Sequence, residues 1–266
     1  MAYAVVTGSS GGIGEALCEV LAEQGHDLVL VARSEDKLRT IAGRLSAKQG
    51  IKTFVVPLDL CVDGSCEKLH ATTREAGLEV DILVNNAGFG DHAAFLDADW
   101  DRQEQMVRLN LLSLMHLTQL YGRDMRDAGY GRILNLSSVA AFSAGPYMSI
   151  YYASKGFVLQ FSQAVNYELS GTGVTCTALC PGPTSTGFSN AAGGMAGSRM
   201  FSFMGAQNAR SVAERGYAAM MAGKPVAYHS PATRILNLGS RMIPRSLAAK
   251  FAGFIDGVPQ RKDSDK

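Results

Sequence analysis

Charge is scarce in this chain: Asp, Glu, Lys and Arg make up 18% of 266 residues, and 25 basic side chains nearly cancel 24 acidic ones. Without a basic excess to hold a polyanion, nucleic acid is excluded as an expected partner. Cysteine is sparse as well. Cys18, Cys61, Cys66, Cys176 and Cys180 are odd in number, and no two have the spacing of a zinc knuckle or redox motif. Buried, reduced thiols are the expectation, with Cys176 and Cys180 sharing a face if they lie on one strand. The histidines at 26, 70, 92, 116 and 229 stand singly without an HExxH pair, so no metal is implied. No uncharged run approaches the roughly 18 apolar residues of a membrane span. The chain opens Met1-Ala2-Tyr3-Ala4-Val5-Val6 and reaches a glycine turn by Gly8, leaving no room for the basic and apolar regions of a leader. A reducing, cytoplasmic setting is expected.

What the chain has in quantity is apolar surface and glycine. Hydrophobic residues reach 47%, enough to bury a sizeable core, and 29 glycines exceed the usual share of about 7% without a collagen-like period. Short apolar runs alternate with longer amphipathic stretches, the signature of βαβ units and a parallel sheet. Strands are predicted at Ala4–Thr7, Asp27–Ala32, Lys52–Pro57, Asp81–Asn85, Arg132–Leu136, Val174–Leu179 and Pro225–Tyr228. Their residues are mostly apolar on both faces, as strands covered by helices on both sides should be. Helices are predicted at Ile13–Gln24, Glu35–Lys48, Gly64–Ala76, Trp100–Arg126, Met148–Ser170 and Val212–Gly223. Ser34 precedes an acidic first turn, and Ser211 with Glu214 reads as a capping box. With no internal repeat or Pro-rich linker, the expected architecture is an α/β fold: one Rossmann-like domain over residues 1–266, a doubly wound parallel sheet of about seven strands with helices on both faces.

Two regions depart from the alternation. Residues 185–211 are rich in Gly, Met and Phe without a clean period, and such a long irregular stretch is expected to be functional, as a mobile lid between a core at 1–184 and the rest. From 231 to 266 the chain turns basic. Counted from Arg234, 7 basic residues face 3 acidic ones, and apolar residues interleave with Arg234, Arg241, Arg245 and Lys250. This extension reads either as an ordinary helix pair on the sheet edge or as an amphipathic surface for a membrane or another subunit.

Three clusters carry chemistry. The first, Thr7-Gly8-Ser9-Ser10-Gly11-Gly12-Ile13-Gly14, follows a predicted strand and opens a predicted helix. Glycines let the chain turn sharply against a pyrophosphate, while free amides and the positive end of the helix dipole meet its charge. At the end of the second strand, where an NAD site places an acidic residue, the sequence has Ala32 and then Arg33. A guanidinium there can grip a 2′-phosphate, which favours NADP over NAD; the plainer reading pairs Arg33 with Glu35 or Asp36. The third cluster is Tyr151-Tyr152-Ala153-Ser154-Lys155. Tyr151 and Lys155, four apart on a helix, share a face at about 6 Å, and a nearby cation lowers the pKa of a phenol from about 10. Tyr152, three residues from Lys155, is a geometric rival.

Together these features resemble the classical short-chain dehydrogenase/reductase family over residues 3–230. The resemblance rests on TGSSGGIG at 7–14, LDL at 58–60, NNAG at 85–88, Asn110, NLSS at 135–138, YYASK at 151–155 and PGPTST at 181–186, in that order. It implies Tyr151 as the catalytic acid/base and Ser138, rather than Ser137, as the group that polarises the carbonyl. Lys155 is implied to lower the Tyr151 pKa and hold the nicotinamide ribose, and Asn110 to anchor a relay water. The implied dinucleotide contacts are Gly8, Ser10, Gly12, Ile13, Gly14, Arg33, Asp59, Leu60, Asn86, Ala87, Gly88, Pro181, Gly182, Thr184 and Thr186, besides Tyr151 and Lys155. Asp59 with Leu60 resembles the adenine contact, and Thr184 with Thr186 the carboxamide contact. Asp59 also reads as a plain helix cap. One departure is Gly11, where many NADP users carry a basic residue; the 2′-phosphate would then rest on Arg33 and Lys37.

The basic extension is similar to that of the DltE-like, 17β-hydroxysteroid-dehydrogenase-like subgroup. Residues expected to border the carbonyl are Phe142, Tyr147, Met148 and Phe188, joined by Met195, Met200, Phe201, Phe203 and Met204. Such a lining suits an apolar ketone or aldehyde. The resemblance thus implies NADP(H)-dependent interconversion of a carbonyl and an alcohol in a homo-oligomer, dimer or tetramer. An NAD-dependent alcohol dehydrogenase of the same fold and a catalytically silent NADP-sensing protein are the alternatives.

Overall fold

The apolar runs form strands β1 (Tyr3–Thr7), β2 (Asp27–Ala32), β3 (Thr53–Pro57), β4 (Val80–Asn85), β5 (Gly131–Leu136), β6 (Val174–Cys180) and β7 (Val226–Tyr228). The computed structural model describes residues 2–184 and 205–257. All seven strands join one parallel sheet in the order β3-β2-β1-β4-β5-β6-β7. The path runs outward from β1 to β3, returns to β4 beside β1 and then runs outward the other way. That reversal makes the carboxyl ends of β1 and β4 a topological switch point, where doubly wound sheets open a crevice.

The helices are α1 (Gly12–Glu23), α2 (Glu35–Gln49), α3 (Ser65–Glu75), α4 (Trp100–Val107), α5 (Leu114–Ala128), α6 (Ser149–Glu168), α7 (Ala209–Met221), α8 (Pro231–Met242) and α9 (Arg245–Asp256). Alternation along each strand sorts them onto two faces. Ala4, Val6, Leu28, Leu30, Leu134 and Leu179 pack under α1, α2 and α7, whereas Val5, Val29, Leu83, Ile133 and Cys176 pack under α3 and α5. Cys176 lies on the latter face, and Ala178 and Cys180 continue it against Leu159 of α6. All five cysteines are free thiols. Among the described residues, no helix is long and apolar enough to cross a membrane.

Two local readings are corrected. The capping box at Ser211 and Glu214 does not form, because α7 begins one turn earlier. Its cap is Asn208, whose side chain accepts from the Arg210 amide at 2.8 Å, while Glu214 pairs with Arg210 at 2.8 Å. The end of the expected lid, 209–211, is therefore helix; most of the rest of that segment, including Phe188, Met195, Met200, Phe201, Phe203 and Met204, lies outside the described residues. The helix expected from Trp100 to Arg126 is interrupted by a π turn at Arg108–Ser113. Ser113 sits at its end, with its hydroxyl donating to Leu60 O at 2.6 Å and Arg108 O at 3.0 Å. Such insertions recur at functional sites, and this one contains Asn110.

Candidate active site

The turn after β1 is held shut by backbone contact. Gly8 has φ +65°, and a Cβ there would lie 2.8 Å from Asn86 Nδ2; a Cβ on Gly14 would overlap Gly8 O. Neither position accepts a larger residue without displacing the turn. Asn86 supplies the other half of the clamp. Its Nδ2 donates to Thr7 O at 2.9 Å and Gly8 O at 3.1 Å, while the Asn86 and Ala87 amides both donate to Thr7 Oγ1 at 3.0 Å. The Asn86 side chain thus fastens the β4 turn to the β1 turn. Above Gly11, by contrast, the space is open for 4 Å. An open backbone shelf at the amino end of α1, between two pinned glycines, fits the pyrophosphate of a dinucleotide.

At the neighbouring strand ends, Arg33 is exposed, its side chain 80% accessible, and lies 3.9 Å from Asp59, whose own carboxylate accepts from the Cys61 amide at 2.9 Å. Glu35 instead pairs with Arg39. Arg33 therefore stands at the β2 end as expected, but its neighbour is Asp59 rather than Glu35 or Asp36. Leu60 is buried beside this pair, and Ser10 and Ile13 are partly buried in the β1 turn.

The Ser138, Tyr151 and Lys155 cluster lies beyond the end of β5. Ser138 caps a short 3-10 turn at Val139–Phe142, its Oγ accepting from the Ala140 amide at 3.1 Å. It faces the Tyr151 phenol closely enough to lower its pKa. Ser137 is engaged elsewhere, its hydroxyl donating to Lys155 O at 2.8 Å. The two tyrosines also differ in their surroundings. Tyr152 is buried among Ala140, Met148 and Ala252, and its ring fills the space a Cβ on Gly145 would occupy. Tyr151 is the tyrosine that meets Ser138.

Lys155 is buried, with Nζ donating to Leu136 O at 2.8 Å and lying 5.7 Å from the centre of the Tyr151 ring. Burial pulls its pKa down to about 8. The same burial pushes Tyr151 up to about 12, against a smaller lowering from the Ser138 hydrogen bond. Desolvation is the dominant influence on both groups, disfavouring phenolate and ammonium alike. Asn110 is buried in the π turn. Its side chain bridges the Phe89 backbone, accepting from N at 3.1 Å and donating to O at 2.9 Å, with Ser154 Oγ at 3.3 Å. A Cβ on Gly88 would strike Asn110 Oδ1 at 2.8 Å, so the β4 loop lies directly on the π turn.

Pro181, Gly182 and Thr184 line the exit of β6. Thr184 is buried and donates from Oγ1 to Gly182 O at 2.9 Å; Thr186 lies outside the described residues. The sequence reading missed Gln207. Its Oε1 accepts from Gly182 N at 3.0 Å and its backbone N–H donates to Pro183 O at 2.8 Å, so it joins the chain on both sides of residues 185–204. Nothing in a lone Gln before a helix signals that role. Tyr147 was also unforeseen in one respect: it adopts φ +65°, a left-handed conformation unusual for a bulky residue, in the Gly145-Pro146-Tyr147-Met148 turn. Its carbonyl accepts from Ala93 N at 2.9 Å and its ring meets His92 edge-on.

Comparisons with known proteins agree with this geometry. The family described as short chain dehydrogenase matches residues 2–195. The 7beta-hydroxysteroid dehydrogenase of Collinsella aerofaciens is 31% identical over 184 residues, 69% of each chain. The human very-long-chain 3-oxoacyl-CoA reductase is 37% identical over 183 residues, 67% of this chain and 58% of the reductase, so the match spans about three fifths of that relative. Among solved structures, a short-chain dehydrogenase from Sphingobium yanoikuyae in complex with NADPH superposes with a TM-score of 0.81 at 28% identity, covering 100% of this chain and 99% of that one. With the sheet order, the glycine turn and the serine, tyrosine and lysine cluster in place, the chain belongs to the short-chain dehydrogenase/reductase family of oxidoreductases.

Proposed function

We propose that the protein is an NADP(H)-dependent oxidoreductase that interconverts an apolar ketone or aldehyde and its alcohol. The observation that carries this reading is the placement of Ser138 with the Tyr151 phenol beside buried Lys155 at the switch-point crevice. Gly8, Ser10, Gly12, Ile13 and Gly14 would hold the pyrophosphate, Asp59 and Leu60 the adenine, and Asn86, Ala87 and Gly88 the adjoining ribose. Pro181, Gly182, Thr184 and Thr186 would fix the nicotinamide. A bound nicotinamide dinucleotide supplies or accepts the hydride.

The protein's own groups handle the proton. Ser138 Oγ donates a hydrogen bond to the substrate oxygen while Tyr151 Oη delivers its proton to the same atom; the reverse transfers serve oxidation. Burial keeps the Tyr151 phenol protonated at neutral pH, so it enters the reduction as the proton donor. Lys155, at about 8, is still mostly cationic near neutrality, and one of its three donors is spent on Leu136 O. The others serve the ribose. Asn110 acts by pinning the β4 loop to the π turn, and any relay water falls to the carbonyls that such a turn frees.

Arg33 supports NADP, since nothing acidic replaces Ala32 at the β2 end; its approach to Asp59 is the feature that would moderate the preference. The apolar substrate class is supported by the names of the hydroxysteroid and very-long-chain acyl relatives. A cytoplasmic setting and homo-oligomeric assembly belong to the same reading and are tested by fractionation and sedimentation velocity. Titration with NADPH and NADH tests the cofactor: tighter NADH binding would remove the Arg33 argument. Tyr151→Phe is expected to abolish turnover with NADPH binding nearly intact; full activity in that variant would move the assignment to Tyr152.

A further inference from the structure

Helices α8 and α9 carry the least explained surface of the protein. Their inner faces are occupied: Thr233 and Asn237 are buried under α8, with Asn237 Nδ2 donating to Tyr228 Oη at 2.6 Å. Ala252 of α9 packs on Ala140, Met148 and Tyr152, and Gly253 lies against Pro146. Their outer faces are large and apolar. Ile235, Leu238 and Met242 are 69%, 54% and 86% exposed, Ile243 and Leu247 continue the surface, and exposed Arg234 and Lys250 flank it. The spacing of 235, 238 and 242 puts one continuous stripe along α8. A monomer that keeps such a patch in water bears a solvation cost that a partner would remove.

Charge selects the partner. Helices α8 and α9 together hold four basic residues and one acidic one, Asp256 at the very end of α9, whereas the whole chain is nearly neutral. A second copy related by a two-fold axis would bring like charges together at this face. An anionic lipid surface matches both features, because basic side chains meet the headgroups while the apolar stripe enters the acyl boundary. We propose that the outer face of α8 and α9 docks on an anionic membrane surface. Since α9 packs on the turn that leads into the Tyr151 helix, docking would bring the crevice close to apolar molecules dissolved in the bilayer.

Co-sedimentation of the full chain with vesicles tests this. Binding is expected to phosphatidylcholine vesicles containing about 30% phosphatidylserine, to weaken as salt rises from about 0.05 to 0.5 M, and to be slight on pure phosphatidylcholine. Leu238→Glu combined with Leu247→Glu is expected to lower binding by about tenfold or more. NADPH binding should be unchanged, since both side chains are more than half exposed, and this readout reports that the variant is folded. Absence of wild-type binding to the anionic vesicles at low salt would overturn the proposal. So would a wild-type dimer that the double variant dissociates, which would assign the face to a second copy. Failure of NADPH-dependent reduction with intact vesicle binding would strike the enzymatic reading alone.

Discussion

The two ends of the chain treat apolar residues in opposite ways. In β1 and β2, Ala4, Val5, Val6 and Leu28 to Val31 are all completely buried, because both faces of the sheet are covered and every side chain has a place inside the protein. In α8 and α9, residues just as apolar are left facing outward while Thr233 and Asn237 are buried. Hydrophobicity in the first region is accounted for by the chain's own packing. In the second it is not, and the excess must be answered from outside the chain. The difference extends to glycine. Gly8 and Gly14 are fixed by backbone within 3 Å of where a Cβ would sit, whereas Gly239, on α8, has open space around it.

Core truncation should break the comparison most sharply. Leu30→Ala, at a fully buried position in β2, is expected to cost about 3 kcal/mol, whereas Leu238→Ser on the outer face of α8 should stay within about 0.5 kcal/mol. Denaturant unfolding of both variants measures the contrast, and equal losses would show that the α8 face is packed in solution. Gly14→Ala comes next, at about 2 to 3 kcal/mol with a Tm lower by roughly 5 to 10 °C, because its Cβ would overlap Gly8 O. Gly11→Ala, three residues away in open space, should be nearly neutral in thermal melts.

The smallest effect concerns the joint between the regions. His229 follows β7, with Nε2 2.9 Å from Ser211 Oγ, and burial lowers its pKa. Its folded value lies below the unfolded one near 6.5, so on acidification the unfolded chain takes up a proton first. The stability tied to neutral His229 is therefore present above about pH 6.5 and lost as pH falls through that value toward the folded pKa. The drop in denaturant midpoint between about pH 7.5 and pH 5.5 should shrink in His229→Gln. An unchanged drop would place the titration elsewhere.

Much of the fold was legible in the sequence because a parallel sheet covered on both faces needs uninterrupted apolar strands, and all seven appear as such runs. The start of α7 was misread because Ser211 and Glu214 satisfy a capping pattern that Asn208 satisfies one turn earlier. The π turn left no trace in periodicity, since one extra residue per turn shifts the pattern less than the breadth of an apolar face. At the site, the Tyr, Ser and Lys positions were readable as a resemblance, but the packing of their neighbours, Ser137 on Lys155 O and Tyr152 against Gly145, was not. Burial, which sequence does not measure, raises the Tyr151 phenol and lowers the Lys155 ammonium.

By itself the sequence determined the alternation of strands and helices, the placement of the glycine turn at the first strand end and the basic, amphipathic character of the extension. These follow from local chemistry: side-chain periodicity, backbone freedom and charge. Tertiary structure alone decided that Asn86 clamps two turns, that Asn110 holds the Phe89 backbone, that Gln207 spans the exit of β6 and that α8 and α9 turn apolar residues outward. Each of these depends on groups distant in sequence meeting at hydrogen-bond range, or on which face of an element finds a neighbour. Only the packed chain sets those distances.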